Sequence, residues 1–253
     1  MTAAAERAVT ASAAKPSSRA GRATRARLIA VAEQLFAEHG IDAVSISQIL
    51  QAAGQRNKNA VQYHFGDREA LILAIAEHRS EALNRRRADL LADLRRRGRA
   101  DDVRELCATL VLPLAELLDD ELNHFLGFLA RYHLDRSRRR LVASVDPHVT
   151  ATYRDAGRLL QRECGLSRSD FEVRYSLVLD MIFTALAGQQ AQEREGDSAA
   201  ISRRAALADN LIDCVVGSMT AARGFRPRGT RPPGMARPPG IRPGPRTEKG
   251  CGT

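Results

Sequence analysis

Apolar residues recur along this chain at intervals of three and four positions over about two hundred residues, starting near Thr24. This spacing places apolar side chains on one face of an α-helix, whereas a half-buried β-strand would alternate at every second residue. No stretch of the sequence shows that alternation. The pattern therefore predicts an all-α protein of about nine helices, with an N-terminal unit of three short helices and a larger C-terminal helical bundle.

The N-terminal helices have recognisable ends. The segment TRARLIAVAEQLFAEHG has Thr24 as a candidate N-cap and ends at Gly40, and SISQILQAAG begins at Ser45 and ends at Gly54. A third brief helix is predicted over NKNAVQYHF, and Asp67 is expected to cap a long fourth helix. The later helices are predicted over residues 67–97, 102–118, 121–135, 148–163, 168–192 and 198–222.

The two ends of the chain lack this periodicity. Residues 1–22 are rich in Ala and Ser, which predicts a flexible basic arm, and residues 224–253 are a Pro/Gly/Arg-rich tail with too little apolar surface to order itself. Between them we predict a helix-turn-helix domain over residues 23–68. A ligand-binding and dimerisation domain is predicted over residues 69–223.

The net charge of +9 is concentrated at the ends of the chain. Residues 1–70 carry nine basic and six acidic side chains, residues 224–253 carry seven and one, and the body between them is neutral. This distribution favours a polyanionic partner, with nucleic acid ahead of an anionic membrane surface. No apolar run is long enough to span a bilayer, and the first residues lack the apolar stretch of a secretion signal. We therefore expect a cytoplasmic protein without a membrane partner.

Arginine runs also occur within the neutral body, at residues 85–87, 95–97 and 136–140. Acidic residues lie close to each run in the sequence. We predict that these arginines form solvated helix faces paired with nearby Asp and Glu.

Three short helices joined by a Gly-containing turn have the layout of a helix-turn-helix DNA reader. Val61 and Phe65 lie four residues apart and can share the buried face of the third helix. The opposite face would then present Lys58, Asn59 and Gln62. Gln and Asn can bond an adenine edge in bidentate fashion, and Lys can reach guanine or phosphate.

The same helix carries Tyr63, His64 and Phe65 in succession. Neighbouring residues on a helix point about 100° apart, so these three side chains cannot all face inward. We expect Tyr63 and His64 to offer their polar tips at the height of the DNA backbone.

The segment 24–75 resembles the DNA-binding domain of the tetracycline-repressor (TetR) family of bacterial regulators. The resemblance is carried by LIAVAEQLFAEHG, by the region from Ser45 to Ile49, by AAG, and by the aromatic-Phe-Gly-polar-basic-Glu-x-Leu run at residues 63–71. The family pattern has Tyr three residues before the Phe, where this chain has Gln62, so the register of base contacts stays open.

The resemblance implies a set of backbone contacts and an assembly. Phosphate contacts are implied for Ser45, Tyr63 and Arg68. The two last predicted helices are broadly apolar and look like the pair that forms a four-helix dimer interface in the family, so a homodimer is expected. The expected interface residues are Val178, Ile182, Leu186, Leu211, Val215 and Met219.

The family also implies an apolar pocket for a small-molecule inducer in the C-terminal domain. The aromatic residues of the helix predicted at 121–135 are candidates, with ordinary core packing as the alternative for each of them. Tyr132 and Asp180 are expected to supply polar contacts, because a polar group on a buried face needs a partner. The predicted lining is Phe125, Phe128, Tyr132, Tyr175, Asp180 and Phe183.

Signals of catalysis are missing from the sequence. It contains no Gly-rich phosphate loop, no Ser-His-Asp arrangement and no Cys/His spacing for a metal, so we predict no enzyme activity, cofactor or metal. The favoured function is a one-component transcriptional regulator, a repressor that binds a palindromic operator as a homodimer and is released by a largely apolar ligand. The alternative is an architectural protein that coats DNA through its basic ends without an inducer.

Overall fold

A computed structural model of the chain describes residues 18–120, 122–134 and 150–222. These residues form nine α-helices and one 3-10 helix, with no strand among them, which confirms the prediction of an all-α fold. The helices are α1 (Arg19–His39), α2 (Ile46–Ala52), α3 (Ala60–Phe65), α4 (Arg68–Arg96), α5 (Val103–Ala115), a 3-10 helix (Glu116–Asp119), α6 (Phe125–Leu134), α7 (Ala151–Glu163), α8 (Arg168–Arg194) and α9 (Ser198–Thr220). The predicted tail and most of the predicted N-terminal arm lie outside the described residues.

Several helix starts are fixed by side-chain caps. At α2 the Ser45 hydroxyl accepts from the Gln48 backbone N–H, while the Gln48 side chain accepts from the Ser45 backbone N–H. This reciprocal arrangement satisfies two donors that a helix start otherwise leaves free. A single side-chain cap, without the reciprocal bond, begins each of α4, α5 and α8, at Asp67, Asp102 and Ser167.

The predicted start of the first helix at Thr24 was wrong. The helix begins at Arg19, because the Ser18 hydroxyl accepts from the Gly21 backbone N–H. The first turn faces solvent and carries no large apolar side chain, so hydrophobic periodicity gave no sign of it.

The helix predicted from residue 121 also begins elsewhere, at Phe125. Asn123 is buried, and its side-chain oxygen accepts from the Phe125 backbone N–H at 2.8 Å. The Asn123 backbone N–H in turn donates to the carbonyl of Asp120. A hydrogen-bonded turn therefore precedes the helix where the apolar pattern predicted helix.

A buried carboxylate joins the N-terminal helices to the rest of the chain. Glu33 on α1 is only 2% exposed, and its two oxygens accept from the Arg79 guanidinium on α4, each at 2.8 Å. The backbone N–H of His124, just before α6, donates to the same carboxylate at 3.2 Å. Because a buried charge is costly unless it is paired and hydrogen-bonded, this contact fixes α1, α4 and the start of α6 together.

The same two helices, α1 and α6, pack very closely. A Cβ placed on Gly127 would meet the Ala37 Cβ at 3.1 Å, which is tighter than ordinary contact. The rings of Phe36 and Phe128 lie 6.4 Å apart in the same interface. Arg131 donates to the carbonyl of Ala37 at 3.3 Å and so closes the contact at its edge. Glycine at residue 127 allows this approach, and a larger residue would push α6 away from α1.

A second buried charge lies where α4, α5 and α7 meet. Pro113 inside α5 has no N–H and cannot donate to the carbonyl of Thr109, four residues earlier. Arg87 on α4 is fully buried, and its Nε donates to that carbonyl at 2.9 Å. Its Nη1 donates to the Thr152 hydroxyl at 3.0 Å, which donates to the Asn84 side-chain oxygen at 2.6 Å. Arg87 is therefore not part of a solvated face, contrary to the prediction for the run at 85–87.

The other arginines of that run do behave as expected. Arg85 pairs with Glu81 one turn away, and Arg86 pairs with Glu116 beyond α5. Both pairs are exposed to solvent. The run is split because successive helix positions point in different directions, and position 87 alone faces the interior.

Helix α8, predicted to be broadly apolar, buries one face within the chain and exposes apolar side chains on another. Val178, Ile182 and Leu186 are buried against neighbouring helices, whereas Val173 and Leu177 are exposed, at 61% and 62%. The exposed apolar side chains lie on the face opposite to the buried ones. None of the helices in the described part of the chain has the length and apolar character that a membrane span requires.

The Glu33–Arg79 contact generates a stability prediction. Arg79→Ala leaves a buried carboxylate without its cation, and we expect a loss of about 2–4 kcal/mol in the free energy of unfolding, reduced by the water that reaches the partly exposed Arg79. Urea unfolding followed by circular dichroism measures it. Arg85→Ala is the matched control, since its pair with Glu81 is exposed and should contribute at most about 0.5 kcal/mol. Equal losses in the two variants would contradict a special role for Glu33.

Candidate nucleic-acid interface

Helix α3 divides its side chains between a buried and an exposed face. Val61 and Phe65 are buried, as their spacing predicts, and belong to one hydrophobic core with the apolar residues of α1, α2 and α4. Gln62 is exposed, and Tyr63 is 70% exposed, the largest exposed aromatic among the described residues. An amide and a phenol are thus presented side by side on one short helix.

The residues just before α3 extend this exposed surface. Lys58 and Asn59 are exposed but lie in the preceding turn, since the helix begins at Ala60 and not at the start of NKNAVQYHF. The Asn57 side-chain oxygen accepts from the Asn59 backbone N–H at 2.9 Å and orders the turn. The Asn59 side chain makes no capping hydrogen bond, so it is available to an external partner.

The sequence reasoning missed one basic residue of this turn. Arg56 is exposed beside Lys58, at the entry to α3. A basic residue in a polar turn next to a candidate reading helix was the signal that could have identified it. Arg19 and Arg22 are likewise exposed on the first turns of α1, where the sequence predicted an unstructured arm.

Ser45 is exposed at the start of α2, and its hydroxyl already has local partners. It accepts from the Gln48 backbone N–H at 3.2 Å and lies 2.8 Å from the Gln48 side-chain oxygen, to which it donates. A hydroxyl has a second lone pair but a single hydrogen, so donation to a phosphate would require the Gln48 contact to be exchanged. The contact that the resemblance implies for Ser45 stays a prediction.

His64 faces inward, where an exposed side chain was expected. It is buried, and its Nδ1 has no hydrogen-bond partner in the described part of the chain. The buried face of α3 comprises Ala60, Val61, His64 and Phe65. It is wider than the face predicted from Val61 and Phe65 alone. The position of His64 one turn after Ala60 explains its burial.

The environment of His64 is apolar and positively charged. Burial lowers the pKa of His64, and the nearby Arg25 lowers it further. The Arg25 guanidinium itself lies over the Phe65 ring, 4.9 Å from its centroid. His64 is therefore held neutral in the folded protein, and its contact with DNA stays a prediction that the burial of its ring does not favour.

Arg68 also points into the protein. Its guanidinium donates to the carbonyls of Val44, at 2.5 Å, and of Ile41, and it lies over the Phe36 ring. These contacts hold the loop between α1 and α2 against the start of α4. The phosphate contact implied for Arg68 stays a prediction. In the structure the Arg68 guanidinium holds the α1–α2 loop to the start of α4. Arg27 acts similarly, because its Nε donates to the carbonyl of Ala53 at the end of α2.

In the C-terminal helices, several of the predicted pocket residues lie in one aromatic group. The Phe128 ring lies 5.8 Å from Phe125 and 5.8 Å from Tyr132. His133, which was not predicted, lies next, with its ring 4.4 Å from Phe183 and its Nδ1 3.7 Å from the Asp180 carboxylate. Aromatic side chains of α6 and α8 therefore meet, with His133 as the link between them.

Tyr175, the remaining predicted pocket residue, contacts α7. Its ring stacks on Phe171 with centroids 5.0 Å apart, and its hydroxyl donates to the Tyr153 carbonyl at 2.8 Å. These contacts are made within the core, so they agree equally with a pocket wall and with ordinary packing. The pocket assignment stays a prediction.

The six residues predicted for the dimer interface are buried within the single chain. Each is 5% exposed or less before any partner is added: Val178, Ile182, Leu186, Leu211, Val215 and Met219. Their role at an interface between two chains stays a prediction, and in this structure they form the contact of α8 and α9 with the rest of the core. The exposed faces of the same helices are the surfaces that a second chain could reach.

Within the described residues, no group of three or more His, Cys, Asp or Glu side chains is arranged to hold a metal ion. Cys107, Cys164 and Cys214 are free thiols.

Comparison with known proteins places the N-terminal helices in a family. Residues 28–75 match the model of the bacterial regulatory proteins of the tetR family. The fold is similar to that of a protein from Shewanella sp. PV-4 assigned to the tetR family of transcription regulators, at 15% identity and a TM-score of 0.50, over 76% of this chain and 97% of that chain. No curated protein matches the sequence.

Two other solved structures align over a similar length. One comes from work on the molecular basis for control of antibiotic production by a bacterial hormone, at 21% identity and a TM-score of 0.41, over 76% of this chain and 96% of that chain. The other is RolR without ligand, at 20% identity and a TM-score of 0.40, over 77% of this chain and 94% of that chain.

The burial of His64 predicts a pH-dependent stability. The unfolded chain takes up a proton at His64 near its ordinary pKa of 6.5, whereas the folded chain does so only at lower pH. The unfolded state therefore binds more protons as the pH falls, so the stability that this site contributes is complete above the ordinary pKa of 6.5 and is lost as the pH falls through it toward the lower folded pKa. Thermal melts across this range should show a smaller loss for His64→Phe than for the wild type. Part of the loss should persist, because burial also lowers the pKa of His124. An unchanged pH profile in His64→Phe would contradict the assignment.

Proposed function

We propose that this chain, whose residues 28–75 match the model of the bacterial regulatory proteins of the tetR family, is a sequence-specific, one-component transcriptional regulator. In this proposal it acts as a repressor that binds a palindromic operator as a homodimer in the cytoplasm. A small, largely apolar ligand bound among the C-terminal helices releases it from DNA.

One observation carries the proposal of sequence-specific reading. The turn and helix from Lys58 to Tyr63 expose an amine, two amides and a phenol next to one another, while Val61 holds the helix to its core. Gln62 and Asn59 have the donor and acceptor pair that matches an adenine edge, and Lys58 can reach guanine. Tyr63 and the neighbouring Arg56 suit the phosphates on either side.

The way α2 and α3 are held supports this reading. Arg68 and Arg27 donate to backbone carbonyls at the two ends of α2, at Val44 and Ala53. Such contacts fix the angle at which α3 is presented without using the exposed side chains of α3 itself. A reader of base edges needs this rigidity, because a hydrogen bond weakens steeply with misalignment.

For the homodimer we propose the exposed faces of α8 and α9. On α8 the exposed positions Val173, Leu177, Thr184 and Gly188 carry no charge, and the partly exposed Asp180 between them pairs with His133. Glycine in the interior of a helix costs about 1 kcal/mol relative to alanine, and no atom of the described residues lies within 4 Å of where a Gly188 side chain would be. Close approach of a second chain is a physical reason for glycine there.

The facing stripe on α9 is also made of small residues. Ala206, Asn210, Cys214 and Gly217 are exposed along one side of the helix. The two helices are tied together at one end, where Arg174 donates to the carbonyl of Ser218 at 3.1 Å. The two stripes are made of uncharged side chains, and the acidic residues that border them, Asp180 and Asp213, pair with His133 and Arg104 of the same chain. Two copies of the chain can pack on this surface as a four-helix arrangement.

The ligand is proposed to act through α6. The aromatic residues of this helix contact α1 directly, through Phe128 and Phe36, and the spacing of the two helices leaves no room for a side chain at residue 127. A ligand that shifts α6 must therefore move α1 or lose this contact. Release then follows if the ligand binds the shifted arrangement more tightly than the DNA-bound one.

The single experiment that tests this function is selection of bound fragments from random genomic DNA. A regulator of this kind should enrich one or a few palindromes, with half-sites about one helical turn apart. Uniform coverage of DNA without sequence preference would instead indicate an architectural DNA-coating protein, and it would contradict the proposed regulator.

The exposed amide of Gln62 generates the first functional prediction. Gln62→Ala should weaken operator binding by about 1–3 kcal/mol per half-site and relax the preference at one base pair. Tyr63→Phe should weaken operator and random DNA by similar factors, because a phosphate contact carries no sequence information. Titrations of both variants on both DNAs measure the difference. Equal losses of Gln62→Ala on operator and random DNA would mean that Gln62 contacts only the backbone.

The α8 stripe generates a second prediction. Leu177→Asp places a charge at an exposed position, so the chain should fold normally while dimerisation and operator binding are lost. Analytical ultracentrifugation and a thermal melt separate the two effects. Leu122→Asp is the matched control, because Leu122 is 85% exposed and lies outside the stripe. The Leu122→Asp protein should remain a dimer. A dimeric Leu177→Asp would place the interface elsewhere. Substituting the buried Leu211 or Val215 tests only the core.

A further inference from the structure

Many arginines in the described part of the chain pair with Asp or Glu, and Arg87 does not. It is fully buried, and within the described residues neither an ion pair nor a hydrogen bond joins it to an Asp or Glu. Its three recorded contacts are the Thr109 carbonyl, the Thr152 hydroxyl and the face of the Tyr153 ring, whose centroid lies 3.5 Å from the guanidinium carbon. A buried guanidinium with only neutral partners is costly, so an anion at this position would be stabilising.

The groups around Arg87 that could carry a negative charge are neutral at physiological pH. Burial raises the pKa of the Cys107 thiol to about 12. Burial also raises the pKa of the Tyr153 and Tyr175 hydroxyls, and the opposing influence of Arg87 is smaller. The positive charge is therefore not balanced by an ionised side chain among its neighbours.

Two donors at this position are unused. The Nη2 of Arg87 and the hydroxyl of Tyr153 are both buried, and neither has a hydrogen-bond partner in the described part of the chain. Arg87 Nε and Nη1 are held by Thr109 and Thr152, so the free edge of the guanidinium has a fixed direction. Buried donors are satisfied in most proteins, and an unsatisfied pair is a reason to look for a missing ligand.

We propose that Arg87 and Tyr153 form a binding site for a small organic carboxylate. Resting on the proposed function, this carboxylate is the effector that releases the regulator from DNA. One carboxylate oxygen accepts from Arg87 Nη2, and the other accepts from the Tyr153 hydroxyl.

The chemistry of the site favours a carboxylate over a phosphate. The free edge of Arg87 and one hydroxyl offer few donors, which suit the two oxygens of a singly charged group and leave a phosphate dianion under-satisfied. The neighbouring rings of Tyr153, Tyr175 and Phe171 favour an apolar, aromatic body attached to the acid.

Benzoate, with benzamide as its uncharged isostere, is a minimal probe of this site. Titrated against the full chain, benzoate should raise the melting temperature, and benzamide should not. Arg87→Met should weaken benzoate roughly tenfold or more, since it removes a charge-assisted hydrogen bond. Arg86→Met is the matched control, because Arg86 is the exposed neighbour paired with Glu116 and should leave benzoate binding unchanged.

A second variant keeps the test decisive if Arg87→Met does not fold once the Thr109 carbonyl has lost its donor. Tyr153→Phe keeps the hydrogen bonds of Arg87 to Thr109 and Thr152 and its contact with the ring, and removes the hydroxyl, so it should fold and bind benzoate several-fold more weakly. No stabilisation of the wild type by benzoate, equal stabilisation by benzamide, or undiminished binding to Tyr153→Phe would each overturn the site. Arg87 would then be a purely structural donor for Thr109 and Thr152.

Operator binding is measured in parallel on the same samples. Benzoate that binds through Arg87 and also weakens operator binding supports both the site and its regulatory role. Benzoate that binds through Arg87 while operator affinity stays constant supports the carboxylate site and overturns its role as the effector site. If benzoate does not bind at Arg87, the result of the DNA selection experiment is unchanged. The carboxylate site and the regulator function are therefore tested independently.

Discussion

The carboxylate of Glu33 is the contact on which the arrangement of the helices depends. It lies on α1, one turn before Phe36, and takes hydrogen bonds from Arg79 on α4 and from the backbone of His124 at the start of α6. Removing these partners from so deeply buried a charge would cost several kcal/mol of folding free energy. The DNA-binding helices and the C-terminal helices therefore cannot move independently. Any change that reaches α6 acts on α1 through a contact that resists being broken.

The two buried charges of this chain are satisfied to different degrees. Both oxygens of Glu33 accept hydrogen bonds from within the protein, and its charge is balanced by Arg79. Arg87 uses one edge of its guanidinium to replace the donor that Pro113 removes from α5, and its other edge has no partner in the described chain. A closed polar network is typical of a structural role, whereas a partly open one is where a ligand gains most from binding.

The DNA-binding helices show how arginine serves positioning as well as recognition. Arg27 and Arg68 both donate to backbone carbonyls around α2. The exposed polar groups of the candidate reading surface lie in the short segment from Arg56 to Tyr63. A basic composition thus contributes to this surface mainly by holding it in place, and the reading of bases is left to amides and a single lysine in the proposed function.

The sequence by itself determined the helical class, most of the helix ends and the inward face of α3, because these depend on local periodicity and on caps such as Ser45 and Asp67. It could not predict that His64 is buried, or that Arg87 is buried while Arg85 and Arg86 are exposed, since burial depends on which helices pack against a position. The predicted residues of α8 and α9 face the same chain for this reason, and the exposed stripe through Leu177 was not identified. Spacing along one helix defines a face, and only tertiary packing decides what that face meets.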